Sequence, residues 1–367
     1  MQQARFPNLF VLSLALLVLF GLAMLSTASA LLAFAHAGDT YFYVKRQLLN
    51  GVLPGIVLFF LASRFPYRTL RSFALPLMVV SVVLLSLLFL PQFGITANGA
   101  TRWFDAGFFS FQPAEILKLS FVIYLAALFA SRREKASDMK EGFLPFLLLV
   151  GAVAALLVAQ PDLGTLGVIV LTALSVYFAA GAKLRHIAVV LLLGCVGLLA
   201  FVYGFGYELD RIQVYMNPSN DAEGAGYQIN KAMAAIQAGG PLGLGFGQSQ
   251  RKFVGYLPEP MGDSIFAIVG EELGFAGVSI AVLLFALVGW QGFRIAGNAP
   301  DMFGSLVAAG VTSWILIQAF INIGAISGLL PLTGIPLPFV SYGGTSLAVL
   351  LTACGVVYNI QRQTKNI

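Results

Sequence analysis

Apolar runs long enough to cross a bilayer recur along almost the whole chain, and only one long polar stretch interrupts them. The runs lie at 10–34, 47–63, 73–90, 113–130, 143–159, 163–180, 186–206, 264–293, 303–327 and 341–360. Each has about the 17–25 residues that a transmembrane helix needs. Backbone polar groups find no water in a bilayer core, so such runs must be helical. Composition agrees: 59% of the 367 residues are hydrophobic, 10% are charged, and mean hydropathy is +0.88. Soluble domains carry roughly a quarter charged residues, so a soluble globular protein is excluded. The expected fold class is an all-α polytopic membrane protein with ten transmembrane helices. Runs five and six meet at Gln160-Pro161-Asp162, and fusing them gives the alternative count of nine.

Charge placement favours ten. With the N-terminus inside, the inner segments hold Arg5, Arg64, Arg68, Arg71, Arg132, Arg133, Lys135, Lys140, Lys183, Arg185, Arg294, Arg362 and Lys365, beside only Glu134, Asp138, Glu141 and Asp301. That is 13 of 21 bases against four of 16 acids. The positive-inside rule therefore puts both termini in the cytoplasm and residues 207–263, between helices 7 and 8, outside as one large extracytoplasmic loop. The net charge of +5 reflects inner loops facing anionic lipid, and no nucleic-acid partner is expected. The first run ends Ser26-Thr27-Ala28-Ser29-Ala30 like a signal sequence. Its apolar core exceeds the ~7–15 residues of a cleaved signal, so it is read as a retained helix. Cys195 and Cys354 both sit in apolar runs, which argues against a disulfide framework. No second domain is legible in residues 1–367.

Polar information concentrates on the outer face. Asn98-Gly99 is a turn signal, and Arg102-Trp103 suits an interfacial anchor, an aromatic belt with a lipid-phosphate contact. In Gln112-Pro113-Ala114-Glu115-Ile116-Leu117-Lys118, proline fits a first helical turn. Glu115 and Lys118 share a face and can pair, as a structural bridge or as part of a cavity. Asp162 is placed to cap the sixth helix, which does not preclude lining a site. Within the long loop, Ile229, Met233 and Ile236 follow a helical period, which predicts a short amphipathic helix on the outer leaflet. The Gly-rich 239–247 that follows lacks the Gly-Lys-Ser/Thr ending of a phosphate loop, so nucleotide binding is not inferred. Residues 330–339 are apolar yet too proline-rich for helix; such backbone at membrane depth lines a cavity or is buried in protein. Ser341-Tyr342-Gly343-Gly344 brings backbone close to the same place.

The chemistry open to this set is narrow. His36 and His186 fall on opposite sides, with no nucleophile–histidine pairing and no metal-ligand cluster. The outer face instead gathers Asp162, Glu259, Asp263, Glu271 and Glu272 with Arg46, Arg102, Arg211, Lys231, Arg251 and Lys252. Cations beside carboxylates suit transfer from a phosphate-activated donor: the cations stabilise departing pyrophosphate and a carboxylate takes the proton of the incoming hydroxyl. Asp263, at the lip of the eighth run, is costly to desolvate and reads as a working group.

Taken in order, Asn98-Gly99-Ala100 with Arg102-Trp103, Gln112-Pro113-Ala114-Glu115, Gln160-Pro161-Asp162-Leu163-Gly164, Gly270-Glu271-Glu272-Leu273-Gly274 and Pro338-Phe339-Val340-Ser341-Tyr342-Gly343-Gly344 resemble the SEDS family (shape, elongation, division and sporulation). These are integral-membrane peptidoglycan glycosyltransferases, and the resemblance spans nearly the whole chain. It implies a ten-helix protein of the bacterial cytoplasmic membrane, polymerising lipid II on the outer leaflet. It also implies work with a class B penicillin-binding protein and other divisome or elongasome proteins. Asp263 falls where the family's essential aspartate follows a Leu-Pro-Glu run; it would be the general base on the acceptor 4-hydroxyl, inverting the donor's anomeric centre. Glu115, Lys118 and Asp162 match other cavity positions, and Arg46, Arg102, Arg211, Lys252 and Ser341 are the further substrate-binding candidates. No tightly bound cofactor is expected, only Mg²⁺ or Mn²⁺ accompanying the pyrophosphate. Gly226-Tyr227-Gln228 and Gln250-Arg251-Lys252 are similar to the FtsW and SpoVE branch, with RodA second. Where Pro-Glu-His/Ala-x-Thr-Asp-Phe is usual in the family, this chain reads Pro258-Glu259-Pro260-Met261-Gly262-Asp263-Ser264: the aspartate is kept and its immediate neighbours are not. A lipid II flippase and a non-enzymatic scaffold for a partner synthase are the rival readings.

Overall fold

The computed structural model describes residues 9–90, 92–97, 100–105, 110–132, 135–205, 224–252 and 256–364. Helix dominates. Among the described residues, eight helical stretches are long and apolar enough to cross a membrane: Leu9–Ala37, Phe42–Arg64, Tyr67–Leu87, Pro113–Ala130, Met139–Ala159, Ile265–Gly297, Met302–Ile326 and Gly344–Thr364. Leu163–Ala179 and Leu184–Ala200 are shorter apolar helices. Burial runs inside-out relative to a soluble protein. Leu19 and Leu283 are each 62% exposed, whereas Glu115, Gln318 and Asn359 are buried. The chain is a multi-pass membrane protein.

Its helices are α1 (Leu9–Ala37), α2 (Phe42–Gln47), α3 (Leu53–Arg64), α4 (Leu70–Leu87), α5 (Pro113–Ala130), α6 (Leu144–Ala159), α7 (Leu163–Ala179), α8 (Leu184–Phe205), α9 (Ala225–Gly239), α10 (Ile265–Gly297), α11 (Met302–Ile326) and α12 (Gly344–Thr364). They fall into two compact units. One comprises Met1–Leu49, Leu193–Val288 and Gln318–Gly343; the other comprises Asn50–Leu192, Gly289–Ile317 and Gly344–Ile367.

In the second unit α3 packs on α12 and α4 on α5. A side chain at Gly355 would lie 2.6 Å from the Phe59 carbonyl oxygen, so glycine sets how closely α3 and α12 approach. The α4–α5 seam carries a Ser120-to-Ser81 hydroxyl hydrogen bond of 2.8 Å. Between α4 and α5 runs an antiparallel meander, β1 (Gly94–Ala97), β2 (Ala100–Asp105) and β3 (Ser110–Phe111). The sequence reading gives only a turn here. Asn98 and Gly99 lie outside the described residues, between the paired Ala97 and Ala100. Cross-strand ring contacts such as Phe104 with Phe111, centroids 5.1 Å apart, stabilise the meander.

In the first unit the decisive feature is a break in α10. Gly274 has φ 62° and ψ −160°, a conformation that only glycine adopts without strain. A break frees the carbonyls before it and the N–H groups after it, and the strap 240–252 supplies their partners. Leu244 and Gly245 N–H donate to the carbonyls of Glu271 and Glu272 at 2.9 and 3.0 Å. Phe275 and Ala276 N–H donate to those of Gly240 and Pro241 at 2.9 and 3.1 Å. The uninterrupted apolar run of the sequence is therefore two helical pieces with a strap plugged into the joint. The amphipathic helix forms as α9, but its buried face (Ile229, Ala232, Ala235) is turned into protein. Gly239 and Ile236 seat against Gly270 of α10.

The proline-rich 331–343 stretch is irregular and buried against α1, where Phe339's carbonyl approaches Gly21. Gln318 and Asn322, one turn apart on α11, hold it by donating to the carbonyls of Pro336 (3.0 Å) and Ile335 (2.7 Å). Non-helical backbone survives at this depth because side chains of a neighbouring helix satisfy it.

Candidate active site

Asp263 stands immediately before α10, in a turn closed by Glu259, whose carbonyl accepts the N–H of Gly262 (3.0 Å) and Ser264 (3.2 Å). Glu259 takes a left-handed φ of 47°, an uncommon conformation for a non-glycine residue. Three latches fix the turn. Asn322 Nδ2 donates to the Asp263 carbonyl at 2.8 Å. Ser341 Oγ donates to the Gly262 carbonyl at 2.7 Å, and the Tyr342 N–H to that of Met261 at 2.8 Å. Ser341 is itself held by the Leu337 N–H at 2.8 Å. The proline-rich segment thus serves as the back wall of the aspartate turn.

The carboxylate is half-buried and held on one side only. Gln228 Nε2, from α9, donates to Asp263 Oδ1 at 3.2 Å and to Ser264 Oγ at 2.9 Å. Oδ2 accepts no hydrogen bond among the described residues and faces Gly334, where an added Cβ would lie 4.0 Å away. Burial pushes the Asp263 carboxyl up to about 6, and the charge of Glu259 adds to that rise; hydrogen bonds from Gln228 and Ser264 oppose it. Glu259 is exposed, and its carboxylate folds over Gly262, where an added Cβ would meet Oε2 at 3.3 Å. An unpaired carboxylate titrating near neutrality with one open oxygen has the properties of a general base.

That electrostatic arrangement has a measurable consequence. A base at Asp263 would have to be deprotonated, so turnover that depends on it would fall as pH drops through about 6. Glu259→Gln removes a like charge that raises the Asp263 pKa, so the acid limb of the pH profile moves to lower pH. An unmoved limb, or one displaced upward, contradicts the coupling.

Two other acids of the same unit are occupied. Glu271 and Glu272 are fully buried. Glu271 accepts from Arg251 NH1 at 3.0 Å and from Ser249 Oγ; Glu272 accepts from Gly247 N (2.9 Å), Ser249 N (3.3 Å) and Lys252 Nζ (3.1 Å). Lys252 also donates to the Gly247 carbonyl at 2.6 Å. These carboxylates and their cations hold the strap in the α10 break, so Lys252 is a strap anchor rather than a free cation. Arg46 is exposed, its guanidinium 5.4 Å from the Phe42 ring centre. Arg211 lies outside the described residues.

The other sequence-derived candidates belong to the second unit. Glu115 and Lys118 form an ion pair of 2.8 Å, 2% and 4% exposed, with Lys118 Nζ 5.0 Å from the Trp314 ring centre. Glu115 Oε2 and Thr172 Oγ1 are buried without hydrogen-bond partners among the described residues. Pro113 starts α5, which places Glu115 in its first turn. Asp162 caps α7, accepting the Thr165 N–H at 3.3 Å, and Arg102 donates to the neighbouring Pro161 carbonyl. Among the described residues no group of three His, Cys, Asp or Glu side chains is placed to hold a metal ion. Sequence reasoning missed Gln228, Gln318 and Asn322. The last two had a signal: amides four apart in an apolar run share one helix face.

Residues 7–366 match the FtsW/RodA/SpoVE model, described as cell cycle protein. The chain belongs to the FtsW/RodA/SpoVE family. Stage V sporulation protein E of Bacillus subtilis is 42% identical over 360 residues, covering 98% of each chain. The probable peptidoglycan glycosyltransferase FtsW of Geobacter sulfurreducens is 36% identical, covering 98% of this chain and 96% of its own length. A chain from a solved peptidoglycan synthase complex, described as coordinating polymerization and crosslinking, superposes with a TM-score of 0.81 at 27% identity and full coverage of both. This FtsW/RodA/SpoVE member therefore shares the fold of a protein in a glycan-polymerising assembly.

Proposed function

We propose that this protein is a peptidoglycan glycosyltransferase that polymerises lipid II, with Asp263 as the base. The observation that carries the reading is the carboxylate itself: held through Oδ1 by Gln228, open at Oδ2, and raised toward neutrality. The 4-hydroxyl of the acceptor sugar gives its proton to Oδ2 while its oxygen attacks the donor's anomeric carbon. The lipid pyrophosphate leaves from the opposite face, which inverts the centre. Cations stabilise the leaving group, with Arg46 the exposed candidate in the same unit. Mg²⁺ or Mn²⁺, where it takes part, comes with the pyrophosphate.

Ten crossings with both termini cytoplasmic put the Asp263 turn at the outer leaflet of the bacterial cytoplasmic membrane; the charge bias of the inner loops and the two shorter apolar helices support that count. The similarity to SpoVE and FtsW favours septal wall synthesis over elongation. A class B penicillin-binding protein is the partner this reading implies, alongside other membrane proteins of the division or elongation machinery. The break in α10 and the buried Glu115–Lys118 pair are features that transporters share, so a flippase is the second reading. Protein reconstituted in liposomes with lipid II, with and without Mg²⁺, is expected to give a glycan ladder on a gel. Translocation of fluorescent lipid II with no ladder would replace the first reading with the second.

A further inference from the structure

The cations in the unit that holds Asp263 are mostly neutralised. Lys45 pairs with Asp39 at 2.7 Å, Arg251 with Glu271 at 3.0 Å and Lys252 with Glu272 at 3.1 Å. Among the described residues Arg46 and Lys231 make no ion pair with a carboxylate; Arg46 is exposed against one ring, whereas Lys231 is half-buried. Its ammonium is instead caged by two rings, 5.1 Å from the centre of Tyr227 and 4.2 Å from that of Tyr256. The cage is braced: the Tyr256 hydroxyl accepts from Arg251 Nε at 3.1 Å, and Arg251 is clamped by Glu271.

Position makes this cage relevant. Tyr227, Gln228 and Lys231 all lie on α9. Residues three or four apart share a helix face, and Gln228 is the donor that holds Asp263 Oδ1. A half-buried, oriented cation therefore sits one helical turn from the residue that holds the base. Ring faces stabilise an ammonium without neutralising its charge, so the cage leaves Lys231 able to attract an anion.

We propose that Lys231, in its cage of Tyr227 and Tyr256, is a positioning residue that binds an oxyanion of the substrate beside the Asp263 turn. Two groups on a lipid-linked disaccharide peptide carry that chemistry, a phosphate of the pyrophosphate and a carboxylate of the stem peptide. The inference rests on the polymerase reading, and its test separates the two.

Lys231→Met keeps a flexible apolar stem between the rings and deletes the charge; Lys231→Arg keeps the charge. KM and kcat for polymerisation are measured on lipid II with free stem-peptide carboxylates and on lipid II with those carboxylates amidated. Losing a charge-assisted hydrogen bond should raise KM for Lys231→Met roughly tenfold to a hundredfold, with kcat little changed and most of the loss recovered in Lys231→Arg. A penalty on both substrates identifies a phosphate; one confined to the free-carboxylate substrate identifies the stem peptide. Folded Lys231→Met protein with wild-type KM on both substrates overturns the proposal. So does an equal penalty in Lys231→Arg, which would make the cage a latch and no more. Should the wild type make no polymer, the polymerase reading fails first. The subsite is then decided by thermal shift with inorganic pyrophosphate and with muramyl pentapeptide: a shift lost in Lys231→Met supports it, and one retained, or no shift in the wild type, overturns it.

Discussion

Asp263→Asn is expected to lower the rate of lipid II polymerisation by about 10²–10⁴-fold, the usual contribution of a general base, while leaving the fold intact. Asparagine matches aspartate in shape and keeps an oxygen to accept from Gln228 (3.2 Å in the native protein). What disappears is the proton acceptor at Oδ2. Stability should move the other way. The folded-state pKa lies above its ordinary value, so the neutral acid is the form that folding favours. The stability it contributes is present below about pH 4 and is lost as pH rises through about 6. At pH 7 the native protein carries the cost of a half-buried carboxylate, which asparagine removes. Gel analysis of product and a thermal melt in detergent check both halves. Polymer made by a folded Asp263→Asn sample would remove Asp263 from the role of base, and a fall in melting temperature would mean that its charge supports the turn.

Glu272→Ala should be among the most destabilising single changes in this unit, at about 3–5 kcal/mol, because it leaves a buried cation without its partner. Glu272 is fully buried and accepts from the N–H groups of Gly247 and Ser249 and from Lys252. Truncation takes that acceptor from all three donors in a largely buried joint. The strap should then leave the α10 break, exposing the carbonyls of Glu271 and Glu272 that Leu244 and Gly245 satisfy. Limited proteolysis within 240–252, together with a thermal melt, reads this directly. Glu272→Gln should lose less, since its amide oxygen still accepts from the strap. Equal protease resistance in Glu272→Ala and wild type would show that the strap is held by its backbone contacts alone.

Much of the local structure was legible from residue type and spacing. Proline at position 113 marks the start of α5, the three-residue interval pairs Glu115 with Lys118, and Asp162 sits where a cap belongs. The break in α10 was not legible. Gly274 lies in an apolar run that reads as continuous helix, and its conformation is stabilised by a strap some thirty residues earlier in sequence. Glycine permits a left-handed turn; only the tertiary partner requires it. The same holds for the charges. Counting acids and bases on one face gives a mixed cluster, but not which members cancel. Lys252 pairs away while Lys231 does not, because pairing depends on how the strap folds back onto α10.

The apolar runs determined, by themselves, that this chain spans membranes as helices, since a bilayer offers no other way to satisfy so many backbone groups. The ordered polar motifs pointed to the family and to Asp263. The tertiary structure decided the state of that aspartate. Gln228 from α9 holds its carboxylate and Asn322 from α11 its carbonyl, while Ser341 from the proline-rich segment holds the adjacent Gly262, all from distant parts of the sequence. Burial and the neighbouring Glu259 then raise its pKa. Desolvation and hydrogen bonding depend on what surrounds a group in space, and that surrounding exists only once the chain has folded.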